Sequence, residues 1–342
     1  MNGFERIMAV LNGKNADMPP IMLHNFMTAA EQSGFNMKQY RSDAKNMANS
    51  HIAMARKYGL DGVFLDVDTC LEAHAIGVPT DFPDDEPARA CGSISTDIEF
   101  LLEKISPDRL HTDERIGIML EAVRIMRKEL DGETLLRVNV DQGPFSLAML
   151  AYGMTDFMMD LLDEDLTGDI LKLIDRCCDV HIEFHKLARE AGADITSFGD
   201  SSCGPDLLSA ECYRTFAMPF HKRIKDELDN AGIKTICHIC GNLDKILDDV
   251  AKVGFTGIEV DYKTNIGLAH KVLKGKSAVF GCIDPSGIFY FGSPEQVAAK
   301  TKEALDTFSG DGIVVGAGCA LPRNTPDENI RAYVQAARTW QG

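Results

Sequence analysis

The stretch Ala231-Gly-Ile-Lys-Thr-Ile-Cys-His-Ile-Cys-Gly241 leaves a helical pattern through a glycine and enters a short apolar run that closes on a histidine and a cysteine. Glycine adopts the left-handed conformation of a helix C-cap without strain, so the helix stops there. A short, nearly continuous apolar run after such a stop reads as a strand buried on both faces, as in a parallel sheet covered by helices. Helix, glycine and buried strand in that order form the repeating unit of an α/β fold.

The same unit recurs in both directions. Strand-like runs are expected at 21–26, 63–67, 135–140, 195–199, 234–238, 257–260, 277–281 and 313–316. Amphipathic helices are expected between them, at 44–58, 113–130, 170–191, 213–231, 243–253 and 294–308, several ending in Ala-Gly or Val-Gly. Eight alternating units favour an α/β fold of the (β/α)8 TIM-barrel type over a doubly wound sheet. A helix ahead of the first strand, from Phe4 to Leu11, adds an N-terminal helical extension. No linker or low-complexity segment breaks 1–342, so one domain is expected. The one long connection runs from Asp68 to about Glu133, and Asp81-Phe-Pro-Asp-Asp-Glu-Pro87 within it reads as a loop over one mouth.

Composition excludes several function classes. Lys+Arg 35 against Asp+Glu 52 gives a net charge of -17, which argues against nucleic acid and anionic membranes as partners. No window reaches the roughly 18 apolar residues of a membrane span, and no signal peptide is apparent, so a cytoplasmic location is expected. Ten cysteines in 342 residues do not make a disulfide scaffold and are expected as core thiols, metal ligands or reactive groups.

Alternation along a strand puts His238 and Cys240 on one side, with Cys237 and Ile239 on the other. Barrel enzymes carry their chemistry at the C-terminal ends of the strands, where His238 and Cys240 lie, and Cys319 in Gly316-Ala-Gly-Cys319 follows the last strand. Imidazole and thiolates select zinc, and three protein ligands with an open fourth position mark a catalytic ion. The competing reading is a core histidine near buried cysteines. Asp66, Asp68 and Glu72 are candidates for a fourth ligand or an acid-base group, with exposed loop carboxylates as the default. His181 and His185, with Glu183 between, lack the order of a zinc-protease helix and are read as solvated or helix-packing residues.

Further motifs carry a resemblance. Phe4-Glu-Arg-Ile-Met-Ala-Val-Leu-Asn-Gly13, Asp17-Met-Pro-Pro20, Gly143-Pro-Phe-Ser-Leu147, Ala217-Met-Pro-Phe220, Gly281-Cys-Ile-Asp-Pro285 and Leu321-Pro-Arg-Asn-Thr-Pro326 resemble the uroporphyrinogen decarboxylase superfamily from end to end. Within it, His238-Ile-Cys240 and Cys319 are similar to the zinc motif of methylcobamide:coenzyme M methyltransferases. The resemblance implies a (β/α)8 barrel and a zinc ion on His238, Cys240 and Cys319. It also implies methyl transfer between a methyl-corrinoid and a small thiol such as coenzyme M. In that mechanism Asp68, Glu72 and Asp200 are the candidate catalytic carboxylates, to take the thiol proton or fill the fourth site. The corrinoid signature Asp-x-His-x-x-Gly is absent, since Phe184 stands where glycine is required after Asp179-Val-His181. The methyl-corrinoid is therefore expected as a co-substrate carried by a separate corrinoid protein.

Decarboxylases of the superfamily carry arginines just after the first strand, where this chain reads Leu23-His-Asn-Phe-Met-Thr28. Their aspartate after strand two is matched by Asp68, which does not discriminate. A decarboxylase of porphyrinogen-like acids, a methyltransferase that loads the corrinoid from a small methyl donor, and a non-catalytic corrinoid- or thiol-binding barrel stand as alternatives.

Overall fold

The computed structural model describes residues 1–342. Its sheet has eight parallel strands in chain order: β1 (Met22–Leu23), β2 (Gly62–Leu65), β3 (Leu135–Gln142), β4 (Ile195–Gly199), β5 (Thr235–Ile239), β6 (Gly257–Val260), β7 (Ala278–Ile283) and β8 (Ile313–Ala317). A parallel bridge between Ile21 and Val315 closes the barrel. No helix is long and apolar enough to cross a membrane.

The helix Gly3–Leu11 begins in a capping box between Asn2 and Glu5. Its Ile7, Val10 and Leu11 plug the lower end of the barrel against Phe64, Leu135, Ile236 and Phe280. Asp61 ties that end together, since its carboxylate accepts from the Ile21 N–H at 2.8 Å and pairs with Arg6 and Arg338. A larger apolar layer fills the space between strands and helices, and Cys237 and Ile239 of β5 belong to it.

Two expectations need correction. The first strand is two residues long, because the His24 carbonyl accepts from the Leu321 N–H at 2.7 Å and the helix Phe26–Gln32 starts two residues later. The expected helix 213–231 is two helices, Ala210–Phe216 and Met218–Asn230. Pro219 has no N–H to give the Thr215 carbonyl and its ring crowds that turn, so the first helix stops at Phe216 and the second takes the proline in its own first turn. Of the two roles expected for His181 and His185, helix packing is the one observed: both are buried and pack the helix Thr167–Ala191 onto β4.

A buried polar chain behind β2 gives a prediction. His51 on the helix Ala44–Tyr58 lies 2.8 Å from the Tyr40 hydroxyl, which donates to the Asp66 carbonyl at 2.5 Å. Burial pushes His51 down to about 3. Below its unfolded value near 6.5 the unfolded chain takes a proton that the folded chain refuses, so this residue costs stability as pH falls from there. In urea unfolding, His51→Gln is expected to be less stable than wild type by about 1–2 kcal/mol at pH 7. That deficit should shrink by about 2 kcal/mol at pH 5, and an unchanged deficit would show that His51 is not held neutral.

Candidate metal centre

Inward-facing side chains climb β5 in steps of two, from Ile236 in the lower barrel to His238 and then Cys240 at the rim. His238 sits opposite Glu259 of β6 in the register, and its Nδ1–H donates to the Glu259 carbonyl at 3.0 Å. That bond sets the tautomer and leaves Nε2 free to bind a cation. Nε2 lies 3.1 Å from Cys240 Sγ, and Ser201 Oγ lies 3.2 Å from the same sulfur.

Cys319 reaches the pair because Gly318 has no side chain. A Cβ there would stand 2.8 Å from both the Tyr262 nitrogen and the Val260 carbonyl, so only glycine lets the end of β8 pass so close to β6. The turn after Cys240 is held by Asp261, which accepts from the Gly241 N–H at 2.9 Å. The ligand atoms of His238, Cys240 and Cys319 all lie within 4.8 Å of one another.

The electrostatics fit a cation. Hydrogen bonding from Cys319, opposed by burial and aided by His238, lowers the Cys240 thiol, while the same contact with Cys240 and burial raise Cys319. Burial works against charging His238, but Cys240 and Glu259 outweigh it and lift the imidazole to about 10. The three groups thus share protons and negative charge that a divalent ion would take over. Two sulfurs and one imidazole nitrogen are a donor set for zinc.

The three candidate catalytic carboxylates are all buried, contrary to the exposed loops expected for Asp68 and Glu72. Asp68 pairs with Arg115 and accepts from the Cys70 N–H at 3.1 Å. Glu72 lies 3.2 Å from His181 Nδ1, behind the barrel wall, and burial holds its carboxyl far above the usual range. Asp200 accepts from the Ser146 N–H and hydroxyl at 2.8 and 2.7 Å and lies 3.0 Å from His221 Nε2. None of the three joins the His238, Cys240 and Cys319 group. A second cluster, Asp200, Cys203 and His221, is fully buried, but these hydrogen bonds already satisfy the Asp200 carboxylate.

Two inward-facing pairs escaped the reading of the sequence. Glu259 Oε1 lies 3.7 Å from His238 Nδ1, and the other oxygen pairs with Arg137 at 2.5 Å. His24 Nε2 lies 2.6 Å from Asp66 Oδ2. A signal for the first was present, since Glu259 is the one charge in an apolar strand and Arg137 follows two leucines at an inward position.

The family model of uroporphyrinogen decarboxylase (URO-D) matches residues 2–340. The methylcobamide:CoM methyltransferase MtbA of Methanosarcina acetivorans is 28% identical over 341 residues, 98% of each chain. A uroporphyrinogen decarboxylase of Xylella fastidiosa is 26% identical over 363 aligned positions, also 98% of each chain. The solved structure of a methyltransferase from Methanosarcina mazei superposes with a TM-score of 0.90 at 24% identity, covering 99% of this chain and 98% of that one. That likeness confirms the barrel. The identities to the two activities are close, so the residues in the mouth must separate them.

Proposed function

The chain belongs to the uroporphyrinogen decarboxylase family, and we propose that within it the protein is a methyltransferase with zinc on His238, Cys240 and Cys319. It moves a methyl group between a methyl-corrinoid, presented by a separate corrinoid protein, and a thiol such as coenzyme M. The observation that carries this reading is the meeting of one imidazole and two thiols, from strands far apart in sequence, within 4.8 Å at the barrel mouth. The relative named as a methylcobamide:CoM methyltransferase supports the choice of substrates. A porphyrinogen decarboxylase is disfavoured because the position after β1 holds His24, engaged with Asp66, where the resemblance calls for arginine.

Bound zinc would lower the pKa of a thiol and hold its sulfur as a nucleophile at neutral pH. The residues of the chain set the conditions for this. His238 is held in the tautomer that offers Nε2, through the Glu259 carbonyl. Ser201 sits 3.2 Å from Cys240 Sγ, placed to donate a hydrogen bond that disperses charge on that sulfur. Gly241 and Asp261 fix the turn that keeps Cys240 over the barrel.

The test is methyl transfer from methylcobalamin to coenzyme M by protein carrying about one zinc per chain. We expect formation of the methyl thioether with appearance of cob(I)alamin. Zinc-loaded protein that forms none with any small thiol sinks the reading.

A further inference from the structure

Resting on the thiol-acceptor reading above, we propose that His24, oriented by Asp66, is the general base that takes the proton from the incoming thiol. A thiol must lose its proton before its sulfur can attack a methyl group, so the site needs an acceptor. Three carboxylates of the mouth are held in ion pairs or hydrogen bonds: Asp68 with Arg115, Asp200 with Ser146 and His221, Glu259 with Arg137. Asp141 accepts from the Glu72 N–H through Oδ2, and its Oδ1 is buried without a partner. Glu72 is turned away toward His181.

His24 differs from all of these. It directly follows β1, next to β8 in the closed barrel and hence on the side from which Cys319 arrives. Its ring rests on Phe64, with centroids 4.3 Å apart. Asp66 Oδ1 is occupied by the Val67 N–H at 2.8 Å and Asn139 Nδ2 at 3.0 Å, which leaves Oδ2 for His24 Nε2–H at 2.6 Å. In the neutral ring this contact places the proton on Nε2 and leaves the lone pair on Nδ1.

Nδ1 is shielded from solvent and has no hydrogen-bond partner. Its nearest charged neighbour, Glu259 Oε1, is 3.9 Å away, and that oxygen is in turn 3.7 Å from His238 Nδ1. A buried nitrogen base without a partner, held in one tautomer by a carboxylate, has the geometry that activates nucleophiles elsewhere. The other charged and titratable groups around the ring are Arg137 beyond Glu259 and His51 behind Asp66.

The step balances. The thiol S–H bond breaks, its proton moves to His24 Nδ1, and the imidazolium is stabilised by Asp66. The sulfur lone pair forms the S–CH3 bond while the cobalt–carbon bond breaks and leaves its electron pair on cobalt as Co(I). The proton leaves to water with the product, so methyl-Co(III) and thiol become Co(I), methyl thioether and one proton.

The first test uses zinc-loaded wild-type protein labelled with 15N-histidine, titrated with coenzyme M in the absence of corrinoid. We expect the His24 ring nitrogens to move to imidazolium shifts as the thiol binds. Thiol binding that leaves the ring unchanged overturns the proposal. Absence of thiol binding overturns the methyltransferase reading, and the base assignment with it.

The second test uses variants. His24→Gln should lower kcat/KM by about 10²–10⁴ while zinc content is kept, and its rate should rise in proportion to hydroxide. His24→Ala should regain activity with added imidazole. A variant that retains the wild-type pH profile and ignores imidazole overturns the assignment, because a merely structural histidine changes the rate at every pH alike.

Discussion

Cys240→Ser removes metal and activity together, and Cys319→Ser does the same, whereas Cys237→Ser retains both. Serine is a hard alcohol that stays protonated at neutral pH and does not replace a thiolate on a soft ion. A structural zinc site is worth roughly 10–16 kcal/mol over four ligands, so one ligand contributes roughly 3–4 kcal/mol and its loss weakens binding by about 10²–10³. Cys237 is the internal control. It stands three residues before Cys240 on the same chain segment, yet its side chain is buried in the layer between strands and helices. Elemental analysis after dialysis against a weak chelator reads the outcome. Metal retained in Cys240→Ser, or lost equally in Cys237→Ser, would show that the ion sits elsewhere.

That contrast between neighbouring cysteines is legible in the sequence, because strand periodicity alone assigns Cys237 and Cys240 to opposite faces. The barrel is legible for a related reason: glycines stop the helices and the strands that follow are continuously apolar, a pattern that survives errors of a residue or two at each boundary. What periodicity cannot supply is the partner across the barrel. Asp68, Glu72 and Asp200 look like free rim carboxylates in the sequence because nothing local announces Arg115, His181 or His221, which come from other elements. Glu259 and Arg137 are the instructive misses. Each is visible as a charge inside a buried strand, but their pairing crosses the barrel interior from β3 to β6 and follows only from closure. His24 is hidden differently, in a run expected to be strand throughout, where an imidazole at the strand end looks incidental.

The Arg137–Glu259 pair should show the largest single effects on stability, and of a distinctive kind. Arg137 is among the largest fully buried side chains of the protein, with its guanidinium 3.6 Å from the Phe64 ring centroid and 2.5 Å from Glu259. Burial favours the neutral form of both groups, and each holds the other charged: Glu259 is kept below its usual range mainly by Arg137. Arg137→Met fills a similar volume but strands a buried carboxylate, and is expected to cost about 3–5 kcal/mol in urea unfolding. Glu259→Gln strands the guanidinium and should cost a similar amount. The double variant Arg137→Met/Glu259→Gln strands neither charge of the pair and should recover most of the loss, since a buried ion pair and an uncharged isostere are often near equal in stability. The double variant should nevertheless keep its zinc, because His238 is oriented by the backbone carbonyl of residue 259 and not by its side chain. Additive losses in the double variant would mean that the two groups stabilise the fold independently. Recovery of stability with zinc kept but slower methyl transfer would mean that the pair is maintained for the charge it places beside His238 and His24, not for the fold.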